Sequence, residues 1–418
     1  MLILYKTTYG LEFEMKTLGK NSLAVMEFEL NWQSSEATHC EFFFAPNVNM
    51  WRDIFPADVE QEIYGSRENE TFSFTFKPGD VVPGFSPRKV ETISPGQVRN
   101  IHVAGRKILP QFGRFYPSGL LQDVPGIFPQ TLKPFRVIGL DNTGICVDLN
   151  DPLSLYDLEL TLRIHAIQRS SAERGGRCTD WLEELTRNGP GMQARFKGRK
   201  TVFESMNCYK RYDQGLDSKF YTAPRLVGHI DAKAGSMLQD IYAGYLHRND
   251  RVLDLMSSVQ SHLPRDYNLS VTGLGLNRLE LRKNPILNDH LVHDLNETPL
   301  LPFSSNTFDA VVCSLSIEYL TRPREIISEM SRVLVPGGKI MLSFSNRWFP
   351  AKVTQLWLEL HDFERMGLVL DYLLENNTFS ELCTFSARNW PRPADDRHAG
   401  EIATSDPVFV VAGIKKLQ

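Results

Sequence analysis

Apolar and polar residues alternate with a period of two through much of the first 167 positions. MEFELNW (26–32), TFSFTF (71–76), PFRVIGL (134–140), GICVDL (144–149) and LELTLRIHAI (158–167) alternate or cluster apolar side chains over strand length, which predicts strands with a buried face. Lys77-Pro78-Gly79-Asp80, Asp141-Asn142-Thr143-Gly144 and Asn150-Asp151-Pro152 supply the turn residues between them. PFRVIGL and GICVDL are expected to pair as a hairpin around Asp141-Asn142-Thr143. Pro56 to Tyr64, ahead of Gly65, is the best short helix of this part.

From Arg169 to Lys200 the pattern lapses. RSSAERGGRC and NGPGMQARFKGRK are rich in Gly, Ser and basic residues around one short amphipathic piece, TDWLEEL, and predict a linker with a solvated basic face. Beyond Asp217 strand and helix patterns alternate. A helix over 233–246 precedes strands at 251–256, 269–276, 290–295 and 308–316. A helix over 323–334 buries Ile326, Ile327, Met330, Val333 and Leu334 on one face, and Pro336-Gly337-Gly338 stops it before a strand at 339–345. A long helix over 351–374 and strands at 381–387 and 407–416 complete the series. Such alternation predicts a mostly parallel sheet covered by helices on both faces. The expected domains are 1–168, a linker at 169–216, and 217–418.

A chain of 418 residues is long enough for two or three domains. With 42% apolar residues, 23% charged residues and a net charge of -4, the composition argues against a general nucleic-acid or membrane surface. No run approaches the ~18 apolar residues of a membrane span. The apolar start before Lys6 is shorter than a secretory core of about 7 to 15 residues, so the expected location is cytoplasmic. The 6 cysteines form no CxxC pair and are expected as free thiols, while His290 and His293 sit on a strand, so no metal is expected.

In open α/β sheets ligands bind beyond the carboxyl ends of the strands, near the point where strand order reverses. That rule selects Met256 to His262 after the first strand of the second half and Gly275, Leu276 and Asn277 after the next. It then selects Asp294, Leu295 and Asn296, Ser314 to Tyr319, and Asn346 to Phe349. The first of these loops, Met256-Ser257-Ser258-Val259-Gln260, lacks the glycines expected where backbone approaches a nucleotide-like ligand.

VLDLM (252–256), VTGLGLN (271–277), HDLNETPLLPFSSNTFDAVVCSLSIEYL (293–320) and EMSRVLVPGGKIMLSFSNRWFP (329–350) together resemble the class I methyltransferases that use S-adenosylmethionine, over about 215–418. The resemblance implies an α/β Rossmann-like domain with a seven-stranded, mostly parallel sheet. It also implies S-adenosylmethionine as cofactor and a methyl acceptor that is a small molecule, protein or peptide. It puts Asp254, Met256, Ser257, Ser258, Gly275, Leu276, Asn277, Asp294, Leu295 and Ser314 around the cofactor and Arg225 at its carboxylate. Met256, Ser258 and Gln260 stand where the family has glycines, the small serines keeping part of the close approach, and Gly275 stands where it has an acid. Asn277 is then expected to hydrogen-bond the ribose, and Asp294 the adenine amine with Leu295 beside the ring. Glu318 and Tyr319 fall where acceptor and methyl group meet, and Trp348, Phe349 and Trp357 are candidates to wall the acceptor pocket.

Residues 140–167, with Asn150-Asp151-Pro152-Leu153 before the last strand, and FPADVEQEIYGSRENETFSFTFKPGD (55–80) are similar to SlyD-like FKBP-type prolyl isomerases over about 25–167. This implies a mainly-β, FKBP-like α+β domain in which Val81 to Phe85 depart from the family's tyrosine-bearing turn. Residues 86–134, with Arg114-Phe115-Tyr116-Pro117, stand in place of the flap that binds unfolded chains. Two functions follow as expectations. One is a methyltransferase whose FKBP-like domain recruits or shapes the acceptor. The other is a peptide-binding, chaperone or prolyl isomerase protein whose methyltransferase-like domain does not turn over.

Overall fold

The computed structural model describes residues 17–103, 105–142, 144–169, 175–187 and 189–417. The chain start, on which the leader reading rests, Thr143 of the expected hairpin and residues 170–174 of the expected linker lie outside them.

The amino-terminal part holds β1 (Ser22–Gln33), β2 (Thr38–Asn49), α1 (Ala57–Ile63) and β3 (Thr71–Phe76). A set of short strands follows: β4 (Val90–Ile93), β5 (Ile101–Val103), β6 (Arg106–Ile108), β7 (Phe115–Pro117), β8 (Pro134–Leu140) and β9 (Ile145–Asp148). Then come β10 (Leu158–Arg169), α2 (Trp181–Thr186), α3 (Asp217–Phe220) and α4 (Ala232–Tyr245). The last part runs β11 (Arg251–Leu255), β12 (Ser270–Gly275), α5 (Arg278–Lys283), β13 (Asp289–Val292), β14 (Phe308–Ser314), α6 (Pro323–Val333) and β15 (Leu334–Phe344). It closes with α7 (Gln355–Leu358), α8 (Asp362–Asn376), β16 (Phe379–Arg388) and β17 (Val408–Lys415).

Eleven strands form one sheet in the order β13-β12-β11-β14-β15-β17-β16-β2-β1-β10-β3. From β13 to β15 neighbours are parallel, whereas β17 runs antiparallel to both β15 and β16. These seven strands match the expected Rossmann-like unit. Order reverses at β11, with β12 on one side and β14 on the other, and that reversal opens a crevice at the strand ends. The strands read as their surroundings require. FDAVVCS and VFVVAGIK are near-continuous apolar runs buried on both faces, while SLAVMEFELNWQ alternates buried and half-buried positions along one covered face. Helices α6 and α8 cover one face through Ile326, Ile327, Met330, Val369 and Leu373, and α4 covers the other through Leu238 and Tyr242.

The boundary expected at residue 168 is not a break in the sheet. β2, β1, β10 and β3 continue it beyond β16, and β16 pairs in parallel with β2 from Cys383 opposite Thr38 to Arg388 opposite Phe43. Of these, β2 carries no element in the sequence reading, although THCEFFFA holds three consecutive phenylalanines, a residue type enriched in strands. The expected linker is likewise packed: Met192, Gln193, Ala194, Thr201, Phe203 and Cys208 are buried, and Arg195 pairs with Asp371 on α8 at 2.7 Å. Gly and basic residues suggested solvent there because the partners that bury them lie some 170 positions away in α8. The long helix expected over 351–374 is two helices, α7 and α8, because His361 caps α8 through its side chain and Glu364 returns to the His361 N–H. Pro336-Gly337-Gly338 lies inside β15, where Gly337 at φ 78° and a register shift make a bulge instead of a turn. All 6 cysteines are free thiols.

Candidate functional site

The carboxyl ends of β11 to β15 open onto one cavity of about 220 Å³. Arg225, Asp254, Met256, Ser257, Ser258, Gly275, Leu276, Asn277, Asp294, Leu295, Ser314 and Tyr319 all line it. Glu318 does not.

The loop after β11 keeps a tight path without glycine. Met256 takes the left-handed conformation, φ 55°, a region that favours glycine. Ser257 Oγ and Ser261 Oγ donate to Asp254 Oδ2 at 2.5 and 2.6 Å, and Asn284 Nδ2 donates to Ser258 O and Ser261 Oγ, both at 2.8 Å. Burial pushes the Asp254 carboxyl up to about 7, against the pull of the two hydroxyls. The missing glycine has a counterpart on the neighbouring strand. A Cβ on Gly275 would lie 2.2 Å from Ser257 O, so the loop can cross the end of β12 because that residue has no side chain.

A buried acid not singled out by the sequence, Glu280, lies three residues beyond Asn277. Asn277 caps α5: its Oδ1 accepts from Leu279 N and Glu280 N, and its Nδ2 donates to Tyr221 O at 2.8 Å. Asn277 lines the cavity, and both ends of its amide are engaged within the protein as the cap of α5. Glu280 lines the cavity as well. Its Oε1 accepts from Arg225 N at 2.6 Å and its Oε2 from Ser258 Oγ at 2.7 Å, each oxygen keeping a further lone pair. The sequence signal was the Asn-x-x-Glu spacing of a helix start, which normally returns the glutamate to the backbone. Ser257 and Ser258 are thereby engaged with carboxylates, and Ser314 Oγ with Tyr242 Oη at 2.8 Å. Asp294 is half-buried, with Oδ1 accepting from Asn296 N at 2.9 Å, and Leu295 is buried beside it.

Arg225 lines the same cavity, with its backbone beside Glu280. Its guanidinium lies over Phe220, Tyr221 and Phe349 at 4.6, 5.2 and 4.8 Å from the ring centres. Its Nη1 is buried without a hydrogen-bond partner among the described residues. A stacked, pre-oriented guanidinium with an unsatisfied buried N–H suits a carboxylate. His229 sits in the same wall, 5.7 Å from Phe349, and burial lowers its pKa.

Tyr319 lines the cavity, and its Oη accepts from Phe349 N at 2.9 Å. Glu318 is buried behind it at 1% exposure, and neither carboxylate oxygen has a hydrogen-bond partner among the described residues. Burial pushes it up to about 8, so it is mainly protonated at neutral pH. The turn Ile317–Tyr319 presents neighbouring side chains in different directions, and only Tyr319 faces the cavity. Trp348 and Phe349 line the cavity, whereas Trp357 packs against Phe344 in the core at 4.8 Å. Among the described residues no cluster fit for a metal ion is found, and no helix is long and apolar enough to cross a membrane.

Fold and site together define an α/β unit whose strand-end cavity is lined by the carboxylates of Glu280 and Asp294 and by Arg225. Residues 260–342 match the family model described as a methyltransferase domain. The ubiquinone/menaquinone biosynthesis C-methyltransferase UbiE of Roseobacter denitrificans is 44% identical over 71 residues, 16% of this chain and 28% of that protein. UbiE of Chromobacterium violaceum is 26% identical over 148 residues, 30% of this chain and 61% of that protein. The demethylmenaquinone methyltransferase of Paenarthrobacter aurescens is 28% identical over 136 residues, 32% of this chain and 47% of that protein. The chain thus spans less than two thirds of the length of each of these relatives. Among solved structures, a putative methyltransferase from Bacillus halodurans aligns at 15% identity and a TM-score of 0.32, covering 44% of this chain and 100% of that one.

Proposed function

We propose that this protein is an S-adenosylmethionine-dependent methyltransferase acting through the cavity at the ends of β11 to β15. The observation that carries the reading is that Arg225, whose buried Nη1 has no hydrogen-bond partner among the described residues, lines one cavity with the carboxylates of Glu280 and Asp294. When bound, S-adenosylmethionine supplies a methyl group already activated on a sulfonium. Arg225 holds its carboxylate, Glu280 accepts from the ribose hydroxyls, and Asp294 accepts from the adenine amine beside Leu295. Phe349 and Tyr319 bound the side where the acceptor enters. Alignment is what remains for the protein to supply, so turnover does not require a strong base in the cavity. The methyltransferase-domain match and the quinone-pathway C-methyltransferase relatives support the reaction class.

The likeness of the amino-terminal part to FKBP-type isomerases gives the second half of the reading, recruitment or shaping of the acceptor. Its support is the order of α1, β3 and the closing strand β10, and a proline-peptide isomerisation assay on the full chain tests it. A non-catalytic domain is the alternative, favoured by the engagement of Ser257, Ser258 and Asn277 within the protein. Calorimetric titration with S-adenosylhomocysteine separates the two. Binding tighter than about 1 mM, or roughly -4 kcal/mol, is expected, and no heat at that concentration rejects the enzyme. Asp294→Ala should weaken that binding, and unchanged affinity would remove Asp294 from the adenine.

A further inference from the structure

The cavity is lined by more guanidinium groups than one methionine carboxylate requires, together with the carboxyl groups of Asp217, Asp254, Glu280 and Asp294. Besides Arg225, Arg347 and Arg397 line it. Arg347 follows β15 and Arg397 lies in the loop between β16 and β17, so both stand on the β14–β15 side of the reversal, opposite Asp294 and Glu280. The two guanidiniums are drawn together by one atom: His398 Nε2 lies 3.4 Å from Arg347 Nη2 and 3.0 Å from Arg397 Nε, and it accepts because a guanidinium can only donate. Nearby acids are accounted for elsewhere. Asp406 bonds Arg392 at 2.6 Å and reaches Arg347 at 3.3 Å, Asp231 and Asp396 also pair with Arg392, and Glu401 lies 3.5 Å from His398. None of these four acids lines the cavity, and Arg397 pairs with no carboxylate among the described residues. Trp348 and Phe349 lie along the same wall and provide an apolar surface next to the charge.

We infer that Arg347 and Arg397 form an anion subsite for the methyl acceptor, which is a small molecule carrying a carboxylate or a phosphate on an apolar body. One guanidinium suffices for the carboxylate of the methionine moiety, and two further guanidiniums that line the cavity and meet at His398 Nε2 recognise a second anion. The inference rests on the methyltransferase reading above and assigns the acceptor's chemistry within it.

The test uses the full chain saturated with S-adenosylhomocysteine, with benzoate, phenyl phosphate and benzamide as probes at constant ionic strength. At least one anion should raise Tm by about 1–2 °C at roughly tenfold over its Kd, and benzamide should not. Which anion does so separates a carboxylate from a phosphate acceptor. Arg397 is exposed, so Arg397→Gln should fold and bind S-adenosylhomocysteine within about twofold of the parent, yet lose at least half of the anion's shift, while Arg397→Lys retains more. Equal shifts from benzamide, no shift from either anion, or a shift unchanged in Arg397→Gln would each overturn the subsite. Failure of S-adenosylhomocysteine itself to bind would instead overturn the underlying reading.

Discussion

Ser257 Oγ donates to Asp254 Oδ2 at 2.5 Å, across the turn that ends the first parallel strand. Ser261 Oγ meets the same oxygen at 2.6 Å, so a loop without glycine is held by two hydroxyls on one buried carboxylate. Hydrogen bonds from side chains here do what conformational freedom does in a glycine-rich turn. The consequence is a ligand loop whose shape depends on the state of Asp254.

That dependence has a pH signature. Burial raises Asp254 from 3.8 to about 7, so between those values the native state binds more protons than the unfolded state. The carboxyl's contribution to stability is therefore full below about pH 4, falls as pH rises, and is gone above about pH 7. At 1.36 kcal/mol per unit the span is a few kcal/mol. The stability of the parent minus that of Asp254→Asn should decline from about pH 4.5 to 7 and then level off. Denaturant titrations at both ends measure it, and a difference that does not change with pH rejects the assignment.

Glu280 and Asn277 should separate affinity from stability. Glu280→Gln keeps the shape but removes the charge that Ser258 Oγ donates to and that the proposed ribose contact needs, so S-adenosylhomocysteine affinity should fall about tenfold or more. Asn277→Ala removes a helix cap, at about 1 kcal/mol of stability, and should change affinity less. Calorimetry and thermal melts on the pair read both quantities, and the reverse order would return the ribose to Asn277.

Arg225 offers a test by ligand truncation. 5′-Methylthioadenosine has the nucleoside of S-adenosylhomocysteine but no carboxylate. Arg225→Ala should weaken S-adenosylhomocysteine by roughly 10- to 100-fold, as loss of a charge-assisted pair does, and leave methylthioadenosine nearly unchanged. Equal losses for both ligands would mean that Arg225 supports the aromatic wall of Phe220, Tyr221 and Phe349 and not the carboxylate.

How much of this was legible depends on how far each signal reaches along the chain. Strands β3 and β8 and helix α6 were marked by local periodicity and turn residues, and the strand-end rule gathered the cavity from five loops. What was missed is long-range. Nothing near Gln193 or Arg195 announces that Glu41 accepts from Gln193 Nε2 at 2.7 Å or that Asp371 binds Arg195, so a packed segment read as a linker. Side-chain direction was equally hidden: Glu318 and Tyr319 are adjacent in sequence, yet one is buried behind the cavity and the other lines it. Glu280 was passed over because a capping glutamate ordinarily faces its own helix end.

The continuous sheet predicts that the last 202 residues cannot be cut free, a count that follows from residues 217–418 of the 418. β16 pairs with β2 over six residues, and removal of the preceding chain would bare that edge, a template for aggregation. Three buried polar groups would also lose partners. Arg114 Nε donates to Glu364 Oε1 at 2.7 Å with both side chains 2% exposed, Arg195 pairs with Asp371, and His39 Nδ1 lies 2.8 Å from Thr384 Oγ1. Leaving one member of a buried ion pair uncompensated costs about 3–5 kcal/mol, so Glu364 and Asp371 alone approach the total stability of a typical domain. Apolar contacts fail as well, since Phe115, Met192 and Phe203 belong to the core cluster around Phe363, Met366 and Val369. Expressed alone, residues 217–418 should be insoluble or lack a cooperative melt, whereas residues 17–418 should melt in one transition. A soluble fragment that melts cooperatively and binds S-adenosylhomocysteine with the affinity of the full chain would mean that the two halves fold independently despite their shared sheet.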